Sequence, residues 1–339
     1  MGLQEKYKTG GATMFNPTSV VIDAFIDELI ESYVNQFGDN NNDDIQKIMV
    51  TARNALEIIA NSDAPYHDVN HTILVTLVGT EILRGKHLVE GNVSNTVWVH
   101  FVISLLNHDI GYVRGICKAD RAGRYAINTD DTIAPPEGST DAFLTPYHVD
   151  RAKIHIRERF ADDPDLNVDV ICENIERTRF PVPSEEDSQA SDDLPGLLRA
   201  ADLIGQLADP QYMRKISSLY REFTETGQAA KMGYKTAADL RAGYPGFFWN
   251  VVTPYIGEGV RYLRRTQEGQ VWVANLYANV FAEEHEAPAY GPERRNDPDR
   301  RKADTVFAVR ELADNDQRQK TDRRKSAKSE PKAKKAKAG

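Results

Sequence analysis

The chain has 339 residues, of which 40% are hydrophobic and 27% charged, enough for one large or two average packed domains. No apolar run approaches the roughly 18 residues needed to span a bilayer, and Met1-Gly-Leu-Gln-Glu-Lys-Tyr-Lys8 lacks the apolar centre of a secretory signal, so no membrane partner is expected. The net charge of −9 hides a basic end: after Gln317, ten Lys or Arg stand against two acids, which leaves the rest at about −17 and a poor match for nucleic acid.

Two cysteines, Cys117 and Cys172, are too few for a disulfide framework and too far apart for a CxxC zinc site. A reducing cytoplasm is the expected setting. Residues 1–16 have no hydrophobic period and read as a flexible N-terminus. From Pro17, the apolar positions Val20, Val21, Phe25, Leu29, Ile30 and Val34 follow helical spacing, with Thr18 or Ser19 as the expected cap and Gly38 as the stop. Asp39-Asn-Asn-Asn-Asp-Asp44 resembles a calcium loop only briefly. Asp44 stands where that loop requires Gly, and Val50 where it requires Glu, so a turn and helix cap fits better. A second helical stripe runs from Ile45 to Ile59.

Asn61 to Tyr66 is turn chemistry, and His67 opens the next expected helix, whose apolar stripe runs from Ile73 to Ile82. Val97 to Leu106 is apolar on nearly every side, and its helical neighbours favour a buried helix over a central strand. Residues 114–142 break the pattern with several Gly and two Pro, a long loop of the kind that often shapes a site. Helices are expected again at 147–160 and 168–178, then an acidic linker from Pro181 to Asp193. Further helices follow at 194–207, 211–226, 236–242, 247–265 and 271–284. The prediction is an all-α protein without dependable strands: one multi-helix domain over 17–285, and a linker with a disordered basic tail over 286–339. A short helix at 306–312 is also expected, and the tail's charge suits an anionic partner.

The chemistry begins at His108-Asp109, two metal-ligand side chains closing an apolar run. His67 and His71 stand four apart, which places them on one face if a helix covers both. Asp202 lies in Leu197-Leu-Arg-Ala-Ala-Asp-Leu-Ile-Gly, among small and apolar neighbours, so its carboxylate needs a proton, a metal, or Arg199 or Arg177 as partner. His148, at the start of a helix, is a better site candidate than His155. His87 and His285 read as surface residues and His100 as a packed one.

This ordered set, His71, His108-Asp109 and Asp202, resembles the HD superfamily of metal-dependent phosphohydrolases over about residues 60–265. Tyr66-His-Asp-Val-Asn-His71 is similar to the YHNxxH segment of the class I cyclic-nucleotide phosphodiesterases. Ala201-Asp-Leu-Ile-Gly-Gln-Leu-Ala-Asp-Pro210 is similar to their ADLxNP segment with an insertion, and Gly246-Phe-Phe-Trp249 more weakly to the helix lining their base pocket. Tyr112 replaces their second His after the HD pair. Thr145-Pro-Tyr-His148 lacks the Glu and one His of their Glu-x-His-His segment, and their base-holding Gln would fall near Tyr244. The resemblance implies a hydrolase of a phosphate ester, a nucleotide phosphodiester above all, with His71, His108, Asp109 and Asp202 as metal ligands. It implies one or two divalent ions (Zn, Mn, Fe, Co or Mg are not distinguished), with Asp109 bridging any second one. A metal-held hydroxide would be the nucleophile, His67 the general acid oriented by Asp68 or a nearby Glu, and His148 and Phe247 the substrate contacts. Two alternatives stay open: a nucleotide phosphohydrolase acting on nucleoside mono- or triphosphates, and a non-catalytic nucleotide-sensing domain.

Overall fold

The computed structural model describes residues 15–286, so the expectations for the first 14 residues, the basic tail and the 306–312 helix lie outside the described residues. Each early helix starts where a polar side chain satisfies an otherwise orphaned N–H. Asn16, not Thr18 or Ser19, caps α1 (Pro17–Phe37), whose first residue is a proline that has no N–H to satisfy; Gly38, at φ +81°, ends it. Asn41 caps α2 (Asn42–Ile59), Asp68 caps α3 (Val69–Glu90) and Ser94 caps α4 (Asn95–Asn107). The run expected to be a buried helix is one: every residue of α4 from Trp98 to Asn107 is buried.

The long loop that follows contains a small correction to the all-helical expectation. Tyr125–Ala126 (β1) and Thr132–Ile133 (β2) pair antiparallel, although each is only two residues long. Helices resume at α5 (His148–Phe160) and α6 (Val168–Glu176), with a short α7 (Glu186–Gln189) inside the acidic linker. Then come α8 (Leu194–Leu207), α9 (Tyr212–Glu225) and the four-residue α10 (Gln228–Lys231).

Beyond them, the sequence suggested a short helix and then a separate one from Phe247. Instead α11 (Ala237–Phe247) runs through a π-helical turn at Phe248–Val252 straight into α12 (Thr253–Leu263). Pro254 has no N–H to give the carbonyl four residues back. The chain meets this by slipping the ladder one residue, and the Thr253 N–H bonds the Phe248 carbonyl. The last helix is α13 (Gln267–Glu286). Among the described residues, no helix is long and apolar enough to cross a membrane.

The core is organised on α3, which packs against α8, α4 and α12. Small residues let these helices approach closely. A Cβ on Gly79 would lie 2.4 Å from Leu105 of α4, and one on Gly85 2.1 Å from the Tyr262 carbonyl of α12. From the other side, a Cβ on Gly205 of α8 would lie 2.7 Å from the Val75 Cα. The consequence for function is direct, because α3 and α8 carry His71 and Asp202, and α4 leads into His108-Asp109. Gly205→Ala should therefore push α8 off α3, costing about 1–3 kcal/mol as an overpacked site does; thermal unfolding would show it as a lowered Tm.

Candidate metal centre

His71 lies in the first turn of α3, where Asp68 accepts its backbone N–H (2.9 Å). His67 precedes that cap, so the two histidines do not share a helical face as the spacing suggested. Their rings still meet edge to face at 5.4 Å, because the turn folds His67 back over the helix start. His108 and Asp109 also lie just outside a helix. His108 caps the C-terminus of α4, and Asp109 (φ −103°, ψ 2°) precedes a single 3₁₀ turn at Ile110–Tyr112. Leaving the helix turns both side chains to one side, which a continued α-helix would not do. Asp202 comes from the middle of α8 and meets them there.

The four groups converge on one point. Asp109 Oδ2 is 3.0 Å from His71 Nε2 and 3.1 Å from His108 Nε2. Asp202 Oδ1 is 3.5 and 3.7 Å from the same two nitrogens, which are themselves 3.4 Å apart. Ligands at about 2.1 Å from one ion would be separated by roughly 3.0 Å in an octahedral shell and 3.4 Å in a tetrahedral one. The observed separations are of that size. His108 Nδ1–H donates to the Leu105 carbonyl (2.7 Å), which leaves the Nε2 lone pair facing the cluster. Asp109 Oδ2 is buried with only the His71 and His108 imidazole nitrogens beside it, and neither Arg199 nor Arg177 reaches Asp202. Arg199 bonds the Ser188 and Ala190 carbonyls, and Arg177 pairs with Asp193. These groups could hold a metal ion as two overlapping sets, His71 with His108 and Asp202, and His67 with His71 and Asp109.

His67 and His148 border this cluster. His71, His108 and Asp109 side chains are 4%, 0% and 7% exposed, against 20% for Asp202, 16% for His67 and 15% for His148. The open face is therefore the one bearing Asp202, His67 and His148. His148 Nδ1–H donates to the Thr145 carbonyl (2.6 Å), and its Nε2 stands 3.7 Å from Asp109 Oδ1, the oxygen turned away from the four-group cluster. Tyr112, buried, fills the space between the two histidines. Its ring stacks on His67 at 4.4 Å and on His148 at 4.6 Å. Phe247, the last residue of α11, packs edge-on against Phe180. Beside Phe180, Arg179 bonds Asp150, which ties this aromatic pair to the start of α5.

One residue escaped the sequence reading. Glu222 of α9 is buried and accepts three hydrogen bonds: from the Tyr66 N–H (2.7 Å), the His67 N–H (3.2 Å) and His67 Nδ1 (2.6 Å). Asp68, the alternative orienting group, is spent on capping α3. The signal was faint but present, since Tyr212, Ile216 and Leu219 mark a buried stripe whose next position is Glu222. Of the other histidines, His100 is packed, taking the Asn167 N–H on Nε2. His87 is half-buried rather than on the surface, with its Nδ1 on the Val93 carbonyl.

Charge follows geometry. Burial pushes the His67 imidazole down, but the adjacent Glu222 carboxylate outweighs it and raises His67 to about 9. Burial likewise opposes charge on His71 and His108, yet Asp109 and Asp202 raise both. Asp109 would be raised by burial, but His108 and His71 hold it well below the usual carboxylate range. His148 is lowered, chiefly by burial, which favours its neutral form, and with Nδ1–H on the Thr145 carbonyl the lone pair is then on Nε2.

Residues 15–286 match the family model described as Npun_R2479-like. The chain belongs to the Npun_R2479-like family. No curated protein matches it. The family match covers the whole helical body of this Npun_R2479-like protein, including every residue of the cluster.

Protons and a metal ion compete for the same nitrogens here. Asp109 and Asp202 raise His71 and His108, which favours their protonated forms, and an ion bound there would displace those protons. Affinity for Zn2+ should accordingly rise with pH, by about tenfold per pH unit for each proton displaced. Chelator competition between about pH 6 and pH 8 measures this; an affinity independent of pH would count against the four-group site.

Proposed function

We propose that this protein is a metal-dependent phosphohydrolase acting on a phosphate ester, with a nucleotide phosphodiester as the substrate class. The observation that carries this reading is the clustering of His71 and His108 with Asp109 and Asp202, with the buried Asp109 Oδ2 against both imidazoles and the His67–Glu222 pair at the open face. The resemblance to the HD phosphohydrolases supports it through the same residues. His71, His108, Asp109 and Asp202 would hold a divalent ion, which when bound would offset charge on phosphoryl oxygens and activate water near neutral pH. Two imidazoles and two carboxylates suit Zn, Mn, Fe or Co.

The protein's own residues supply the rest. His67 is the group to protonate the leaving oxygen: it sits on the open face, and Glu222 fixes its orientation through Nδ1, so Nε2 carries the transferable proton. The tie to Glu222 favours the protonated form that an acid requires. A dedicated proton donor serves an alkoxide leaving group, which is a poor one. A phosphate or pyrophosphate leaving group departs without such help. That difference favours an ester substrate over a nucleoside triphosphate anhydride. His148 and the Phe180–Phe247 pair are the substrate contacts in this reading, with His148 free on Nε2 to meet the phosphoryl group or a second ion beside Asp109 Oδ1.

The decisive experiment joins metal analysis to a turnover screen of cyclic nucleotides, nucleoside mono- and triphosphates and model diesters. Asp109→Ala should lose both ion and activity; full retention of both would sink the proposal. His67→Ala should keep the ion and lower kcat by about 10²- to 10⁴-fold on an alkyl ester. The loss should shrink on a nitrophenyl ester, whose leaving group needs no proton. Glu222→Gln should fall between the parent and His67→Ala, and equal losses of His67→Ala on both esters would remove His67 from the acid role.

A further inference from the structure

Arg151, one turn after His148 on α5, is completely buried, and all five of its N–H donors are used. Nε donates to the Gly111 carbonyl (2.7 Å). One terminal nitrogen serves Ala126 O (2.7 Å) and Asp120 Oδ1 (3.0 Å); the other serves Val113 O (2.8 Å) and Asp120 Oδ2 (2.9 Å). Asp120 in turn accepts the backbone N–H groups of Gly115, Cys117 and Ala126. The 113–126 stretch of the loop is therefore built around a single bidentate ion pair, and one side of that pair grips the two carbonyls flanking Tyr112.

Those two carbonyls belong to the turn that presents Asp109. On the same turn, a Cβ at Gly111 would fall 1.9 Å from the His148 carbonyl, so the turn lies flush on the first turn of α5. The Tyr112 ring, held between two gripped carbonyls, is the spacer between His67 and His148. We infer that Arg151 is a positioning residue for the candidate centre: it sets the Asp109–Tyr112 turn and the 113–126 stretch as one unit, and through them the placement of Asp109, His67 and His148. The inference rests on the reading of the cluster as a metal centre. Lysine cannot replace this residue, because a single ammonium offers three donors from one point, whereas five donors in a planar fork are needed.

The test uses the full chain, with Arg151→Lys and Asp120→Asn set beside Leu29→Ala, a core truncation in α1 that lowers stability without touching the turn. Zn2+ affinity is read by chelator competition, and backbone exchange over 110–126 by hydrogen–deuterium mass spectrometry. Arg151→Lys should weaken Zn2+ binding about 10- to 100-fold, as loss of a ligand-orienting partner does, and speed exchange over 110–126. Asp120→Asn should do the same more mildly, while Leu29→Ala leaves Zn2+ affinity unchanged. The inference is overturned if Arg151→Lys binds Zn2+ within twofold of the parent, or if Leu29→Ala weakens binding equally. A parent protein that binds neither Zn2+ nor Mn2+ overturns the metal-centre reading itself, and this inference with it; a parent that binds while Arg151→Lys is unaffected overturns this inference alone.

Discussion

Two carboxylates and two imidazoles aimed at one another inside a protein are unstable without a cation between them. Asp109 and Asp202 face His71 and His108 across 3.0 to 3.7 Å, and the two imidazole nitrogens face each other at 3.4 Å. Such lone pairs repel unless protons or a metal ion lie among them, and burial removes the water that would otherwise screen the repulsion. The fold accepts this arrangement because three helices bring it about together. Gly79 and Gly205 draw α4 and α8 tight against α3, so the ligands arrive from directions fixed by core packing and not by flexible chain.

What makes the centre chemically asymmetric is that its key residues stand just beyond helix ends. His67 precedes the α3 cap, and His108 and Asp109 follow the end of α4. Outside the helical ladder, their side chains turn toward a common point while the helices themselves stay in register. The same construction leaves one closed side and one open side. The closed side is the helix core, whereas the open side carries His67 backed by Glu222, and His148 backed by Thr145. Tyr112 keeps those two histidines a ring's thickness away on each side.

Much of this was legible in the sequence, for a physical reason. Imidazole and carboxylate groups that close or interrupt apolar runs are out of place as packing, so His71, His108, Asp109 and Asp202 announced themselves. The all-round apolar character of 97–106 marked a buried element, and its helical neighbours decided for a helix over a strand. What could not be read depends on partners distant in sequence. Glu222 meets His67 across 155 positions, and Arg151 meets Asp120 across 31, so the long loop looked patternless although an ion pair organises it. The sequence pattern placed separate helices at 236–242 and 247–265, with Pro245 between them and Pro254 inside the second. A change of hydrogen-bond register carries the chain through, which no local propensity reveals. The shared face inferred for His67 and His71 failed because Asp68 starts the helix one residue too late for it.

The wide spacing of the ligands along the chain has a bearing on which ion the protein would take. His71 and His108 are 37 residues apart, and Asp202 follows only after the loop and three further helices. No short segment of the nascent chain holds more than a fragment of the donor set, and both cysteines are buried once the core forms. An unfolded polypeptide would favour whichever metal binds soft or isolated ligands most strongly. Here any selection would occur only after the helices have crossed, and would be made by the size and rigidity of a finished cage.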